Sequence, residues 1–174
     1  MAICTAKKIL TYAFIGFPGS AHDSRVFFNS TFVQNIERHG TEYYFPDEEY
    51  HLIGDSAFPI RPWLMTPYRQ NANLGRAEKR HNNILSSDRV VIENCFGILK
   101  GRWRRLQFIN TYCISKSIEI ATAACVLHNF SYLNNDEWDG ELFREPLERL
   151  IIRNNDMEQT RLWKQKRDRI ARLL

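Results

Sequence analysis

Two carboxylates frame the stretch from Tyr50 to Trp103. Asp55 closes the apolar run Tyr-His-Leu-Ile-Gly, and Glu93 stands in Val-Val-Ile-Glu-Asn on a basic segment with helical spacing. A third, Asp23, follows Ser20-Ala21-His22 at the start of another helix-like period. Carboxylates that converge from a strand end, a helix start and a helix surface can hold two divalent ions ~3.5 to 4 Å apart, one activating water and the other stabilising a departing oxygen, the arrangement that phosphodiester chemistry uses. Hard oxygen ligands suit Mg²⁺ or Mn²⁺, and a site with few carboxylates leaves coordination positions for water and phosphate oxygens.

The same residues allow plainer accounts, which spacing alone favours for Glu93, Asp23 and His22 and leaves even with a site role for Asp55. Glu93 falls opposite the apolar face of Val91, Ile92, Cys95, Phe96, Ile98, Leu99 and Trp103, together with Arg89, Gly97 and Lys100, so it could be a solvated partner of Arg89 four residues earlier. Asp55 could bond the backbone of Ser56 or Ala57 in a turn. Asp23 could cap its helix, and His22 could serve either as a proton shuttle or as a structural neighbour of Asp23. Lys100, Arg102, Arg104 and Arg105, with Trp103 among them, are candidate phosphate contacts or else a solvated helix end.

Charge favours a polyanionic partner. From Thr66 to Arg105 there are nine Lys/Arg against Glu78, Asp88 and Glu93, a net +6, so the rest of a chain whose total is +4 sums to −2. The 44% of apolar residues is enough for a core in a 174-residue chain. No apolar run nears the ~20 residues of a membrane span and no secretory signal is apparent, so a soluble, non-secreted protein is expected. Cys4, Cys95, Cys113 and Cys125 lie in apolar stretches without a C-x-x-C pair, which fits reduced thiols; Cys125 and His128 are taken as core residues rather than zinc ligands. Nucleotide-binding glycine loops and a G-x-S-x-G elbow are absent from the sequence.

The elements that would position these residues read as an α/β layered sheet. Ile9–Phe17 is predicted as a strand with Met1–Cys4 as the tail of its hairpin partner, and a single helix follows, capped by Ser20 or Asp23 and stopped at Gly40. Tyr50–Ala57 is the next strand, and Pro59, Pro62 and Pro67 are expected to exclude regular structure from Phe58 to Tyr68. After a basic spacer, Ser86, Ser87 or Asp88 is predicted to cap a helix running to about Trp103, and Ser115 another from Lys116 to about Leu133. Residues 134–174 read as an acidic linker followed by a mobile, charged terminal helix from Leu147 onward.

Four blocks make the chain recognisable: Gly16-Phe-Pro-Gly-Ser-Ala-His-Asp-Ser-Arg-Val26; Leu52-Ile-Gly-Asp-Ser-Ala-Phe58 with Trp63-Leu-Met-Thr-Pro-Tyr68; Arg89 through Trp103; and Cys125-Val-Leu-His-Asn-Phe130. Together they resemble the nuclease domain of Harbinger-type DDE transposases and their domesticated relatives, over about residues 1 to 133. The resemblance implies an RNase H-like mixed sheet with flanking helices, divalent metal at acidic residues, DNA cleavage and joining, and a nuclear location. Asp23, Asp55 and Glu93 match the family's acidic metal ligands. A separate DNA-binding partner protein is a further expectation, and a membrane is not.

The family pattern also carries an acidic residue on a first, central strand, upstream of the region matching Met1, and an Asp where this chain has Thr5. On that expectation the chain is N-terminally truncated, with weak metal binding and little turnover. The alternative is a non-catalytic nuclear module of transposase origin that binds DNA or protein.

Overall fold

A computed structural model describes residues 1–69, 73–136, 138–143 and 160–174. In chain order the elements are β1 (Ala2–Cys4), β2 (Leu10–Ala13), α1 (Asp23–Phe28), α2 (Thr31–His39), β3 (Leu52–Ile53), β4 (Leu64–Met65), α3 (Arg76–Arg102), α4 (Ile114–Leu133) and α5 (Thr160–Leu173). The mixed α/β class matches the reading of the sequence, but the described strands form two two-stranded sheets, β1-β2 and β3-β4, rather than one extended layer. The chain divides into two compact units.

The first unit holds Met1–Ala21 and the described residues from Val90 to Phe143. β1 and β2 pair antiparallel, Ala2 opposite Ala13 and Ile3 opposite Tyr12, so the hairpin expected from the first residues is present. Strand structure stops at Ala13, well short of the predicted Phe17. Asn129 of α4 clamps β2 with both atoms of its amide: Oδ1 accepts from the Leu10 N–H at 2.8 Å and Nδ2 donates to the Leu10 carbonyl at 2.7 Å. Leu10, Cys95, Leu99 and Ala124 form the buried centre, flanked by Cys4, Ile92, Trp103, Leu106 and Cys125.

In the hairpin turn Lys8 adopts a positive φ of 60°. Its carbonyl faces inward, accepting from His128 Nε2 at 2.8 Å and from the Cys95 thiol at 3.4 Å. The carbonyl can only accept, so the His128 proton is assigned to Nε2. Cys125 and His128 are therefore core residues, as their sequence context suggested, and all four cysteines are free thiols. Burial pushes the Cys95 thiol up to about 12, so it packs as a small hydrophobe with a weak donor.

The second unit holds His22–Arg89 together with α5. The single helix expected up to Gly40 is two. Ser30 interrupts it: its hydroxyl donates to the Phe27 carbonyl at 2.7 Å and accepts from the Val33 N–H at 3.3 Å, ending α1 and capping α2 with one side chain. Phe27 stacks on Trp63, with ring centroids 5.8 Å apart, and Phe32 meets the same indole edge-on at 5.6 Å.

The proline-rich stretch is not irregular throughout. β4 runs parallel to β3, and its pairing uses N–H groups of the other strand: Leu52 donates to the Trp63 carbonyl and Gly54 to the Met65 carbonyl, both at 2.8 Å. Pro59, Pro62 and Pro67 flank these acceptors, so the missing proline donors cost the ladder nothing.

α3 begins more than ten residues earlier than predicted, at Arg76 and not after a cap at Ser86, Ser87 or Asp88. The basic spacer is its first half. The alanine, glutamate, lysine and arginines there are good helix formers, and His81 and Leu85 bury on one side at 2% and 5% exposure. Ser115 does not cap α4; Cys113 holds the N-cap position and Ser115 lies within the helix. The terminal helix is docked in its unit from Thr160, while the predicted stretch from Leu147 to Gln159 lies outside the described residues. Arg167 lies 3.7 Å from the Tyr68 ring centroid, the Tyr68 hydroxyl donates to Asp168 at 2.6 Å, and Lys166 donates to the carbonyls of Glu48 and Pro62.

Candidate metal and phosphate site

Asp55 leaves the β3 end in a tight turn, its carbonyl accepting from the Phe58 N–H at 3.0 Å. Gly54 leaves room here, since a Cβ there would stand 2.9 Å from Leu64 Cδ1 and that side chain would have to shift. The carboxylate is used twice over. Oδ1 accepts from the Ser56 hydroxyl at 3.0 Å and the Ala57 N–H at 3.4 Å, so the turn-forming role is real. Oδ2 accepts from Arg89 Nη2 of α3 at 2.9 Å, so the second oxygen already faces a cation.

Asp23 is the first residue of α1, exposed, and it does not cap that helix; nor does Ser20. His22 occupies the N-cap position and makes no side-chain cap bond. The Asp23 carboxylate has no hydrogen bond or ion pair among the described residues, and no bond joins it to His22. Glu93 is exposed on α3, four residues beyond Arg89. Among the described residues no group of three or more His, Cys, Asp or Glu side chains is gathered closely enough to hold an ion. Asp23 and Asp55 belong to the second unit and Glu93 to the first.

The predicted phosphate contacts differ in availability. Arg102 donates to both the carboxylate and the carbonyl of Asp136, and its guanidinium lies 5.6 Å from the Trp103 ring centroid. Lys100 is half-buried, its ammonium 5.7 Å from the Phe143 ring centroid. Arg105 is exposed and donates to the Asn110 carbonyl at 3.3 Å, and Arg104 is exposed without such a bond among the described residues. Gly97, which the helical wheel put on the solvent side with Glu93, is buried instead. The segment at Leu142–Phe143 covers it, and a Cβ there would lie 3.1 Å from the Phe143 carbonyl oxygen. Nothing in the local spacing of α3 announces that cover, because it arrives from some 45 residues downstream.

A turn fixes the Asp55 carboxylate against Arg89 of α3, and Asp23 stands exposed at the start of α1. Residues 1–129 match the DDE superfamily endonuclease family, and the chain belongs to it. Among curated relatives, it is 34% identical over 134 residues to "Putative nuclease HARBI1" of Bos taurus, covering 75% of this chain and 36% of that protein. To the Homo sapiens protein of the same name it is 32% identical over 146 residues, covering 82% and 40%. To "Protein ALP1-like" of Arabidopsis thaliana it is 30% identical over 125 residues, covering 66% and 30%. The chain thus spans well under half the length of these relatives. No solved structure matches it. No helix among the described residues is long and apolar enough to cross a membrane.

Proposed function

We propose that this chain carries the metal-dependent DNA-cleaving part of a transposase-derived nuclease, RNase H-like in arrangement and acting in the nucleus, with Asp23, Asp55 and Glu93 as oxygen ligands for Mg²⁺ or Mn²⁺. The observation that carries the reading is the Asp55 carboxylate. Its Oδ1 is fixed by Ser56 and Ala57, and its Oδ2 is turned toward positive charge supplied by Arg89, on the helix that bears Glu93. The donor set fits a hard cation: Asp23 offers a carboxylate with no partner among the described residues, and Asp55 offers Oδ2 in exchange for Arg89. When bound, the metal supplies an activated water and a counter-charge for the departing oxygen. The protein's own contribution is to orient Asp55 through its turn, to hold Arg89 where it can pass from carboxylate to phosphate, and to present Glu93 on the exposed side of α3.

A second reading, a non-catalytic DNA- or protein-binding module, draws support from two observations. No three potential ligands are gathered among the described residues, and a guanidinium already balances Asp55. Nicking of supercoiled plasmid separates the two. The nuclease reading predicts nicking in Mg²⁺ or Mn²⁺ that EDTA and Asp55→Asn both abolish. DNA binding without nicking by wild type, at any concentration of either metal, would establish the module instead.

A further inference from the structure

The cations expected to touch phosphate at the C-terminal end of α3 are largely occupied by the protein itself. Those at its opposite end are not. Arg76, Lys79 and Arg80 are exposed, spaced three and four apart, and therefore share one face of the helix. Asn83 and Ser87, also exposed, continue the same face by one and two further turns. None of the three cations has an ion pair or hydrogen bond among the described residues. The acidic residue nearest them in the sequence, Glu78, turns back to the helix start, its Oε2 accepting from the Gly75 N–H at 2.7 Å.

Lysine and arginine are good helix formers, but that does not account for where their charge falls. Three cations in the first two turns sit at the positive end of the helix dipole, where charge of that sign is unfavourable. A feature that breaks a local rule without a compensating contact points to function. The opposite side of the helix is anchored: Asn82 Oδ1 accepts from the Tyr68 N–H at 2.8 Å, its Nδ2 donates to the Tyr68 carbonyl at 2.9 Å, and His81 meets the Tyr68 ring edge-on at 5.3 Å. The basic face is thus mounted on a fixed support.

We propose that the face formed by Arg76, Lys79 and Arg80, extended by Asn83 and Ser87, is where the phosphate backbone of duplex DNA lies. The assignment rests on the nuclease reading for its choice of ligand. It adds the direction from which DNA approaches: along the outer side of the first half of α3, with the cations at residues 100–105 in a lesser role. Contacts of this kind give affinity and register without sequence preference.

The test is fluorescence anisotropy with a 25-base-pair duplex in EDTA, from 50 to 200 mM salt, so that metal chemistry plays no part. Each phosphate contact contributes a slope of about 0.9 in log K against log salt. The triple variant R76Q/K79Q/R80Q is expected to flatten the slope by about 2.7, the single variant R80Q by about 0.9, and R104Q/R105Q by less than either the triple variant or the sum of its own two charges. The triple variant should unfold at or above the wild-type temperature, because it relieves the conflict with the dipole. A wild-type slope retained in the triple and single variants, a flattening confined to R104Q/R105Q, or no salt-dependent binding by wild type would each overturn the assignment. Since the assay is metal-free, that failure leaves the nuclease reading standing, and loss of plasmid nicking alone leaves this one standing.

Discussion

Arg89 competes with metal for Asp55, so replacing it should tighten metal binding. The guanidinium sits 2.9 Å from Oδ2, with the two side chains 24% and 43% exposed. At that degree of exposure an ion pair is worth roughly 0.2–1 kcal/mol once solvent screening is allowed for. A divalent ion that takes Oδ2 forfeits this pairing and then lies near the displaced positive charge, a repulsion of similar size at a solvated distance of several ångströms. Arg89→Gln removes both, a change of about 1 kcal/mol or somewhat more, which corresponds to roughly a fivefold to tenfold lower Kd for Mn²⁺. Calorimetric titration at low ionic strength reads this directly, with Asp55→Asn as the variant expected to lose the affinity altogether. The gain should shrink at higher salt. Weaker Mn²⁺ binding in Arg89→Gln would refute the reasoning, since it would mean that Arg89 organises the carboxylate for metal rather than opposing it.

The remaining predictions concern the scaffold. Burial and the bond to Asp168 push the Tyr68 hydroxyl up to about 12 from an ordinary 10.0, so the native state keeps a proton that the unfolded chain has lost. Stability is therefore full below pH 10 and falls between about 10 and 12, by on the order of 2 kcal/mol, in urea titrations; Tyr68→Phe should remove that dependence while costing about 1–2 kcal/mol at neutral pH. His128 and His81 are both held neutral by burial, their pKa values lowered from 6.5. Their contribution is present above pH 6.5 and drops as pH falls toward the folded values, by up to about 1.4 kcal/mol per pH unit for each, so His128→Phe should make the acid limb of the stability curve shallower. A Cβ at Gly101 would meet the Glu141 carbonyl oxygen at 2.8 Å; Gly101→Ala should displace the Trp138–Phe143 segment and speed hydrogen exchange in it, with a smaller change at β1 and β2.

Period and chemistry decided what could be read in the sequence. The hairpin, α4 and the core role of Cys125 and His128 follow from local patterns of apolar residues, and the structure keeps them. The family was legible because its four blocks combine glycine, proline and carboxylate positions that a hydrophobic pattern alone would not preserve. What escaped was set by tertiary contact. The break in the first helix depends on one serine bonding in both directions, and β4 depends on carbonyls between prolines. The early start of α3 was hidden because its first half buries only His81 and Leu85 among many charged residues and reads as a charged spacer. On α4, Val126, Leu127, Phe130 and Leu133 are apolar but exposed, so apolar composition there does not report burial. For the candidate site, Asp55 was visible as a carboxylate where an apolar strand surfaces, but its pairing with Arg89 spans 34 residues and no local pattern encodes it.

Whether residues 23, 55 and 93 share bound metal is tested most directly by Mn²⁺ affinities of Asp23→Asn, Asp55→Asn, Glu93→Gln and the three pairwise doubles. A shared centre predicts that each single variant weakens Mn²⁺ binding at least tenfold and that each double loses less than the sum of its singles, because the ion is already gone. Wild-type affinity in all three single variants, or strict additivity in every pair, would contradict it.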